Sequence, residues 1–256
     1  MFAESAQWYD RFMAGKDYAG EAGQITGLIR ELHPGARTLL DVACGTGGHL
    51  SYFRPVFTCH GVDLDDGLLE VARQRLPDVP LTRADMTGFD LGQRFDAVTC
   101  LFSSIGYTAS VAGLRAATRA MAHHLNPGGV LIVEPWILPG AWAPLDGKSH
   151  VDVVQDGNTT LVRVRTNRRT GPITELFMHY AAAAGGQITT ADERHRLRLF
   201  TRAEYLGAAA AAGLSARWDD DGISGRGLVI AIPGPGGPAP ATRIPGNRVS
   251  DAEERG

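Results

Sequence analysis

The chain has 256 residues, of which 44% are hydrophobic, and a formal net charge of −3 at pH 7. This composition predicts a globular core, and the small charge excludes a broad electrostatic attraction to nucleic acid or to anionic membranes. We expect no signal peptide and no membrane span, since no apolar run reaches about eighteen residues. The cysteines, Cys44, Cys59 and Cys100, lie mostly within apolar runs and match no zinc pattern, so we expect free thiols, no metal site and a cytoplasmic protein.

Helical and strand-like patterns alternate through the first half of the chain. Residues 2–32 place apolar side chains near helical spacing, with a break at Gly15 and Lys16. Strands are then predicted at residues 38–42, 58–62, 81–83, 95–101 and 130–134. Helices are predicted between them at residues 48–53, 66–75 and 111–124. This alternation is typical of a parallel sheet with helices on both faces.

The pattern changes to a period of two between residues 151 and 200, with glycine turns that indicate three or four antiparallel strands. A helix follows at 202–212, with Thr201 as its N-cap, and then a final strand pair at 216–218 and 228–232. From Gly234 onward the chain is rich in proline and glycine and then charged, which predicts disorder.

We therefore predict an α/β protein with a doubly wound, Rossmann-like sheet and an inserted antiparallel β layer. The expected units are a helical cap at residues 1–36, a core at 37–138 and 200–233, an insertion at 139–199 that serves substrate binding or dimerisation, and a disordered tail at 234–256.

The segment LLDVACGTGGHL at residues 39–50 is the most informative motif, because it joins a strand to a helix through glycines. Gly45 and Gly47 permit a tight turn and a close approach to a ligand. Leu50 stands where a dinucleotide fingerprint needs its third glycine, and Asp41 would repel a pyrophosphate. S-adenosylmethionine (SAM), which is cationic and has no phosphate, suits this loop, and Asp63 after the second strand could accept from its ribose hydroxyls.

Ligands of open α/β sheets bind beyond the carboxyl ends of the strands, which nominates the residues that follow each strand. There, Asp85 and Met86 could bind adenine, and Leu64 and Phe102 could pack against it. Tyr18 could cover the cofactor carboxylate or could be an ordinary helix residue. The candidates for SAM binding are Tyr18, Asp41, Ala43, Gly45, Gly47, Asp63, Leu64, Asp85, Met86 and Phe102.

Seven segments occur in one order along nearly the whole chain: WYDRF with KDYAGEA, LLDVACGTGGHL, ADM, LFSSIGY, HHLNPGGVLIVEPW, LFTRAEY and SGRGL. Together they resemble the class I SAM-dependent N,N-dimethyltransferases of desosamine and mycaminose biosynthesis, which act on dTDP-linked 3-amino-3,6-dideoxyhexoses in antibiotic pathways. The resemblance implies SAM as the methyl donor, two transfers to one amine, and a homodimer. The sequence leaves open a C3 or C4 amine and one methyl group or two.

Methyl transfer needs an unprotonated amine, so a histidine or tyrosine that orients it and takes its proton is expected to help. The candidates are His124, His179, Tyr107 and Tyr9. The resemblance places a histidine at the position of His124, although a histidine there also suits a helix C-terminus. For His179 an ordinary core histidine is favoured over a base, whereas Tyr107 follows strand four and could face the acceptor.

The nucleotide of such a substrate needs cations or aromatic rings. Arg226 in the SGRGL segment is the first choice for the pyrophosphate, because a guanidinium binds phosphate bidentately. Trp136 could stack on thymine or wall the sugar, and Ser149 is a weaker phosphate candidate. The arginines that alternate along residues 163–198 are interpreted mostly as a solvated face.

Three other functions remain open. A SAM methyltransferase for another small acceptor would keep every cofactor residue and lose the role of Arg226. An NAD(P)-dependent oxidoreductase is disfavoured by the missing glycine and by Asp41. A non-catalytic SAM-binding or dimerisation module would bind the donor without turnover.

Overall fold

The computed structural model describes residues 6–234, and helices and strands alternate between residues 18 and 133. The helices of this part are α1 (Ala6–Phe12), α2 (Tyr18–Leu32), α3 (Leu50–Phe53), α4 (Asp66–Arg75), α5 (Val111–His123) and α6 (Arg202–Ala211). The strands of the first half are β1 (Thr38–Val42), β2 (Thr58–Asp63), β3 (Leu81–Arg83), β4 (Phe95–Cys100) and β5 (Leu125–Val133). Those of the second half are β6 (Ser149–Asp156), β7 (Thr159–Thr170), β8 (Ile173–Ala184), β9 (Gln187–Arg198), β10 (Leu214–Asp219) and β11 (Leu228–Pro233).

Seven strands form one sheet in the order β10-β11-β5-β4-β1-β2-β3. The five strands from β5 to β3 run parallel, and β11 and β10 pair antiparallel at one edge. Helices on both faces bury the central strands, which explains their continuous apolar runs. The predicted doubly wound α/β fold is confirmed.

Strands β6 to β9 form a separate antiparallel sheet between β5 and α6 in the chain. Successive side chains of a strand point to opposite faces, so this sheet has an inner face toward the parallel sheet and an outer face away from it. The inner face packs on α1, where the rings of Trp8 and Phe12 lie 6.3 Å and 5.8 Å from the ring of Tyr180. The predicted inserted β layer is thus confirmed, with four strands.

The helix ends follow local capping chemistry. Asp65 caps α4 by accepting from Leu68 N, and Thr201 with Glu204 forms a capping box at α6. Most predicted boundaries of these elements agree with the structure within about two residues, but β5 begins at Leu125 instead of residue 130. Leu125 pairs with Phe95 of β4, and the register of the two strands shifts at a bulge between Phe95 and Ala97. The Asn126 amide also donates to Asp96 Oδ1 at 2.8 Å.

The predicted disordered tail lies, apart from Gly234, outside the described residues. Within residues 6–234, no helix is both long enough and apolar enough to cross a membrane. The three cysteines are buried and free, and the same part of the chain holds no cluster of His, Cys, Asp or Glu suited to a metal ion.

Candidate active site

A cavity of about 1010 Å³ lies at the carboxyl edge of the parallel strands. The loops after β1, β2, β3 and β4 form its floor, the helices α1 and α2 cover one side, and the inner face of the antiparallel sheet covers the other. It lies at the end of β1, where the strand order reverses, since the chain runs outward from β1 to β2 and β3 and then crosses back to β4 on the other side of β1. This is the usual ligand position in such a sheet.

The loop after β1 takes a backbone path that depends on small residues. Ala43, Gly45 and Gly47 have φ angles of +59°, +57° and +76°, which disfavour large side chains. A Cβ on Gly45 would meet nothing within 4 Å, so its backbone is open to the cavity. A Cβ on Gly47 would instead come within 2.6 Å of Leu76, so Gly47 faces the packing beneath the loop and does not line the cavity.

Asp63 at the end of β2 is fixed by two backbone donors. Its Oδ2 accepts from Gly45 N at 2.8 Å, and its Oδ1 accepts from Asp65 N at 2.9 Å. Burial raises the pKa of this carboxyl, and the two backbone hydrogen bonds oppose that change. The carboxylate is therefore held rigidly at the cavity wall, where its remaining lone pairs can accept from a ligand hydroxyl.

Asp41 is more deeply buried than Asp63 and lies beneath the same loop. The hydroxyl of Thr99 on β4 donates to its Oδ1 at 2.7 Å. Complete desolvation raises the pKa of Asp41 to about 6, although the nearby His49 and the Thr99 bond favour the charged form. This carboxyl therefore carries its charge near neutral pH against a desolvation cost.

The remaining SAM candidates line the same cavity: Tyr18, Ala43, Leu64, Asp85, Met86 and Phe102. The Asp85 Oδ1 is already used by Thr87, whose N and hydroxyl both donate to it at 2.8 Å. Phe102 has a φ of +51°, and its backbone N–H donates to Glu134 at 2.6 Å. The site thus offers carboxylates, an open glycine backbone and apolar side chains, a set that fits a cationic nucleoside.

The ring of Tyr18 lies where a side chain on Gly48 would clash, since a Cβ there would come within 2.6 Å of it. The rings of His49 and Tyr18 pack in a T-shaped arrangement, with their centroids 4.9 Å apart. Lys16 lies over the rings of Tyr18 and Phe102 at 5.1 Å and 4.2 Å. These contacts hold the start of α2 against the loop after β1.

Helix α1 is fastened to the same loop by charged groups. Arg75 of α4 pairs with Asp10, and it donates to the carbonyl oxygen of Thr46 at 2.8 Å. The Thr46 hydroxyl donates to Asp10 Oδ1 at 2.7 Å. Tyr9, the neighbour of Asp10, consequently faces the cavity, and burial raises its pKa.

Tyr107 also lines the cavity, and it contacts His195, a histidine that was not among the predicted site residues. Its hydroxyl lies 3.0 Å from His195 Nδ1, and His195 Nε2 lies 3.1 Å from Glu193 Oε2. Burial raises the pKa of Tyr107, and the charge of Glu193 adds to this effect. The structure therefore joins one predicted residue to two unpredicted ones.

His124 is not brought to the cavity. It follows the last residue of α5, which returns the chain to the amino edge of the sheet, and its carbonyl oxygen accepts from Phe95 N at the start of β4. Its ring is fully buried on Phe89, with Nδ1 2.7 Å from Ala120 O and Nε2 accepting from Leu91 N at 3.0 Å. These contacts are those of a core histidine.

His179 is likewise directed away, because the alternation of β8 sends Leu176, Met178 and Tyr180 to the cavity and His179 to the outer face. There its Nδ1 lies 2.8 Å from Asp192 Oδ1. His179 therefore has no access to the cavity as a base, and its half-exposed side chain is not that of a core histidine either.

Two of the three substrate candidates line the cavity. Arg226 donates to the Ser103 hydroxyl at 2.8 Å, and its guanidinium carbon lies 5.7 Å from the ring of Trp136. The Trp136 indole donates to the Thr174 hydroxyl at 3.1 Å, which fixes the ring. Ser149 begins β6 as an exposed residue and is not among the lining residues.

Arg163 and Arg165 are exceptions to the interpretation of the alternating arginines as mostly a solvated face, because both line the cavity. Arg163 is only 8% exposed, because it pairs with Asp152 and covers the ring of Phe12 at 4.6 Å. Because side chains alternate along β7, Arg163 and Arg165 share a face with the buried Leu161. This alternation is the feature of the sequence that predicts an inward position for both arginines.

Comparisons with known proteins agree with this geometry. Residues 39–129 match the family model described as "Methyltransferase domain". The chain is 45% identical to the dTDP-3-amino-3,6-dideoxy-alpha-D-glucopyranose N,N-dimethyltransferase of Streptomyces fradiae, over 90% of this chain and 91% of that protein. It is 39% identical to the dTDP-4-amino-2,3,4,6-tetradeoxy-D-glucose N,N-dimethyltransferase of Saccharopolyspora spinosa, over 85% and 87%.

Among solved structures, the chain is similar to SAM-bound CalS10, an amino pentose methyltransferase from Micromonospora echinaspora. The TM-score is 0.78 at 40% identity, covering 88% of this chain and 94% of that one. The predicted resemblance, the enzyme class and the SAM cofactor are thereby confirmed. The chain belongs to the family of SAM-dependent dTDP-aminosugar N,N-dimethyltransferases.

Proposed function

We propose that this protein transfers methyl groups from SAM to the amino group of a dTDP-linked amino-deoxyhexose, and that it does so twice on one nitrogen. The observation that carries the proposal is a single cavity with Asp63 on one wall and Arg226 on another. Its volume, about 1010 Å³, is at the upper end of the usual range for ligand pockets, about 300–1,000 Å³, and suits a cofactor and a substrate together.

Asp63, the backbone of Gly45 and the apolar Leu64, Met86 and Phe102 would hold SAM. When bound, SAM supplies a methyl group on a sulfonium. The contribution of the protein is to align the amine with that methyl group, and such positioning is worth about 7–11 kcal/mol. Keeping a lysine-like amine unprotonated at neutral pH costs about 4 kcal/mol, so positioning is the larger contribution.

Arg226 would bind the pyrophosphate. One of its Nη atoms is oriented by Ser103, and the rings of Phe102 and Trp136 flank the guanidinium at 5.9 Å and 5.7 Å. A guanidinium so fixed can present its other N–H groups to two phosphate oxygens. Arg163 is a poorer candidate, because Asp152 already neutralises it at 2.9 Å.

We also propose a cytoplasmic homodimer in which the predicted insertion, residues 139–199, uses its two faces differently. The inner face would receive the sugar, and the outer face would pack on a second copy. Support comes from the outer face, where Val151 and Val153 are 62% and 59% exposed beside the partly exposed Val164 and Phe177. The support for the cytoplasm is indirect, namely three free thiols.

The experiment that tests this function is product analysis with purified protein, SAM and a panel of dTDP-3-amino and dTDP-4-amino sugars. Mass spectrometry of each reaction counts the methyl groups added and identifies the accepted amine. We expect a dimethylated product from at least one member of the panel. Turnover of an amine without a nucleotide at equal kcat/KM would contradict the role of Arg226, and binding of SAM without any turnover would contradict the enzyme assignment.

A further inference from the structure

Three side chains form a hydrogen-bonded row from the cavity into the antiparallel sheet. Tyr107, in the 3-10 turn after β4, faces the cavity, and its hydroxyl contacts His195 Nδ1 at 3.0 Å. His195 on β9 is 1% exposed, and its Nε2 contacts Glu193 Oε2 at 3.1 Å. Alternation along β9 places His195 and Glu193 on the same, inner face.

The chemistry of these groups gives the row a direction. A carboxylate only accepts hydrogen bonds, so His195 Nε2 carries the proton that Glu193 accepts. The neutral imidazole then has an unprotonated Nδ1, which accepts from the Tyr107 hydroxyl. With its hydrogen turned toward His195, the Tyr107 oxygen presents its lone pairs to the cavity, where they can accept from an N–H group.

We propose that Tyr107, His195 and Glu193 form a proton relay that receives the proton of the substrate amine. Tyr107 is the catalytic residue, since its oxygen contacts the amine. His195 and Glu193 are positioning residues, since they act through Tyr107. This inference rests on the proposed function and names how that same site handles the proton.

The proton movement balances within the row. An ammonium N–H bond breaks as its proton passes to the Tyr107 oxygen, and the Tyr107 O–H proton passes to His195 Nδ1. The amine is left neutral, and the imidazolium lies against the Glu193 carboxylate, which offsets the cost of burying its charge. The proton returns through Tyr107 to water when the product leaves the cavity.

The charged and titratable surroundings favour this route over a tyrosinate. Tyr107 faces Glu193 on β9, Tyr180 on β8 and, more distantly, Asp63 on β2, and the charged form of each disfavours a phenolate. Tyr107 therefore passes a proton on without holding a negative charge.

Kinetics of three proteins test the relay with dTDP-3-amino-3,6-dideoxyglucose as the probe substrate. The wild type establishes turnover and its pH profile. We expect Tyr107→Phe, which keeps the ring and loses the oxygen, to lower kcat about hundredfold with an unchanged Kd for SAM. In His195→Asn the amide oxygen can still accept from Tyr107 but cannot take a proton. We expect a lower kcat and an acid limb of the pH profile moved to higher pH, with KM nearly unchanged.

A readout without turnover accompanies the kinetics. In protein labelled with ¹⁵N-histidine, the signal absent from His195→Asn identifies His195, and we expect a protonated Nε2 and an unprotonated Nδ1. The opposite tautomer would overturn the relay, as would Tyr107→Phe retaining kcat within about threefold at every pH. Absence of any methylated sugar with the wild type would instead refute the proposed function, so the two failures are distinguishable.

Discussion

Glu134 accepts a hydrogen bond from the hydroxyl of Ser224, which lies 90 residues further along the chain. The other carboxylate oxygen accepts from Phe102 N at 2.6 Å, and the side chain is almost completely buried. Phe102 lies on the proposed cofactor side of the cavity, and Ser224 lies in the loop between β10 and β11 that carries Arg226. One carboxylate therefore connects the proposed cofactor side to the proposed nucleotide side.

The first prediction concerns this connection. We expect Glu134→Gln to weaken the binding of both SAM and the nucleotide sugar. Hydrogen bonds to a charged acceptor contribute about 1.5–3 kcal/mol, whereas those to a neutral acceptor contribute about 1 kcal/mol. The Kd for SAM, measured by calorimetry, and the KM for the nucleotide sugar should each rise about tenfold. Ser224→Ala is the matched control, since it removes only one contact and should raise KM alone. Equal effects of both variants on SAM would contradict the connection.

The second prediction concerns Asp63. Asp63→Ala should remove detectable SAM binding, since it deletes the acceptor for the ribose and the partner of Gly45 N and Asp65 N. Loss of such charge-assisted bonds costs at least about 3 kcal/mol, or roughly hundredfold in Kd. Calorimetry measures this, with circular dichroism to verify the fold. Asp78→Asn, an exposed carboxylate before β3, is the control. If Asp63→Ala bound SAM with the same heat as the wild type, Asp63 would not be a SAM-binding residue.

The grouping of the proposed cofactor residues around one cavity could be predicted from the sequence because its determinants are local. Asp41, Gly45 and Asp63 each come directly after or within a strand that the hydrophobic pattern reveals, and parallel strands place their carboxyl ends at one edge. Gly47 is the one predicted cofactor residue that does not line the cavity, because it faces the side chains packed beneath the turn.

The substrate side could be predicted only in part, because it depends on pairing between distant strands. The partnership of Tyr107 with His195 spans 88 residues and requires the register of β8 and β9. A one-residue change in register would exchange His179 and Tyr180 between the faces. His124 shows a further limit, because a helix C-terminus beside a motif does not reveal that α5 ends at the opposite edge of the sheet.

The third prediction separates the nucleotide from the cofactor. We expect Arg226→Ala to raise KM for the nucleotide sugar about 10- to 100-fold, because a bidentate charged contact is lost, and to leave the Kd for SAM unchanged. Arg226→Lys should recover only part of this loss, since an ammonium lacks the planar fork. Steady-state kinetics over a range of sugar concentrations measures both, with the exposed Arg119→Ala as the control. An unchanged KM in Arg226→Ala would exclude the phosphate role.

The fourth prediction concerns the outer face of the antiparallel sheet. Val153→Lys would bury a charge in the proposed interface, so we expect a dimer to become a monomer. Light scattering after gel filtration measures the mass. Val56→Lys, at an exposed valine after α3, should leave the mass unchanged. A wild type that is already monomeric at high concentration would refute the proposed dimer.

The fifth prediction concerns Asp41 and pH. Burial raises the pKa of Asp41 to about 6 in the folded protein, from the ordinary value of 3.8. Because its folded pKa is raised, the protonated carboxyl of Asp41 favours the folded state. This contribution to the free energy of unfolding is complete below the unfolded pKa and is lost as the pH rises through 6. The difference corresponds to about 3 kcal/mol at pH 8. Asp41→Asn stays neutral and keeps an oxygen for the Thr99 hydroxyl, so it should be more stable than the wild type at pH 8 and nearly equal at pH 4. Urea unfolding of both proteins at each pH measures the difference, in which the shared titrating groups cancel. If the free energies of unfolding of the two proteins differed by the same amount at both pH values, the charge on Asp41 would not cost stability.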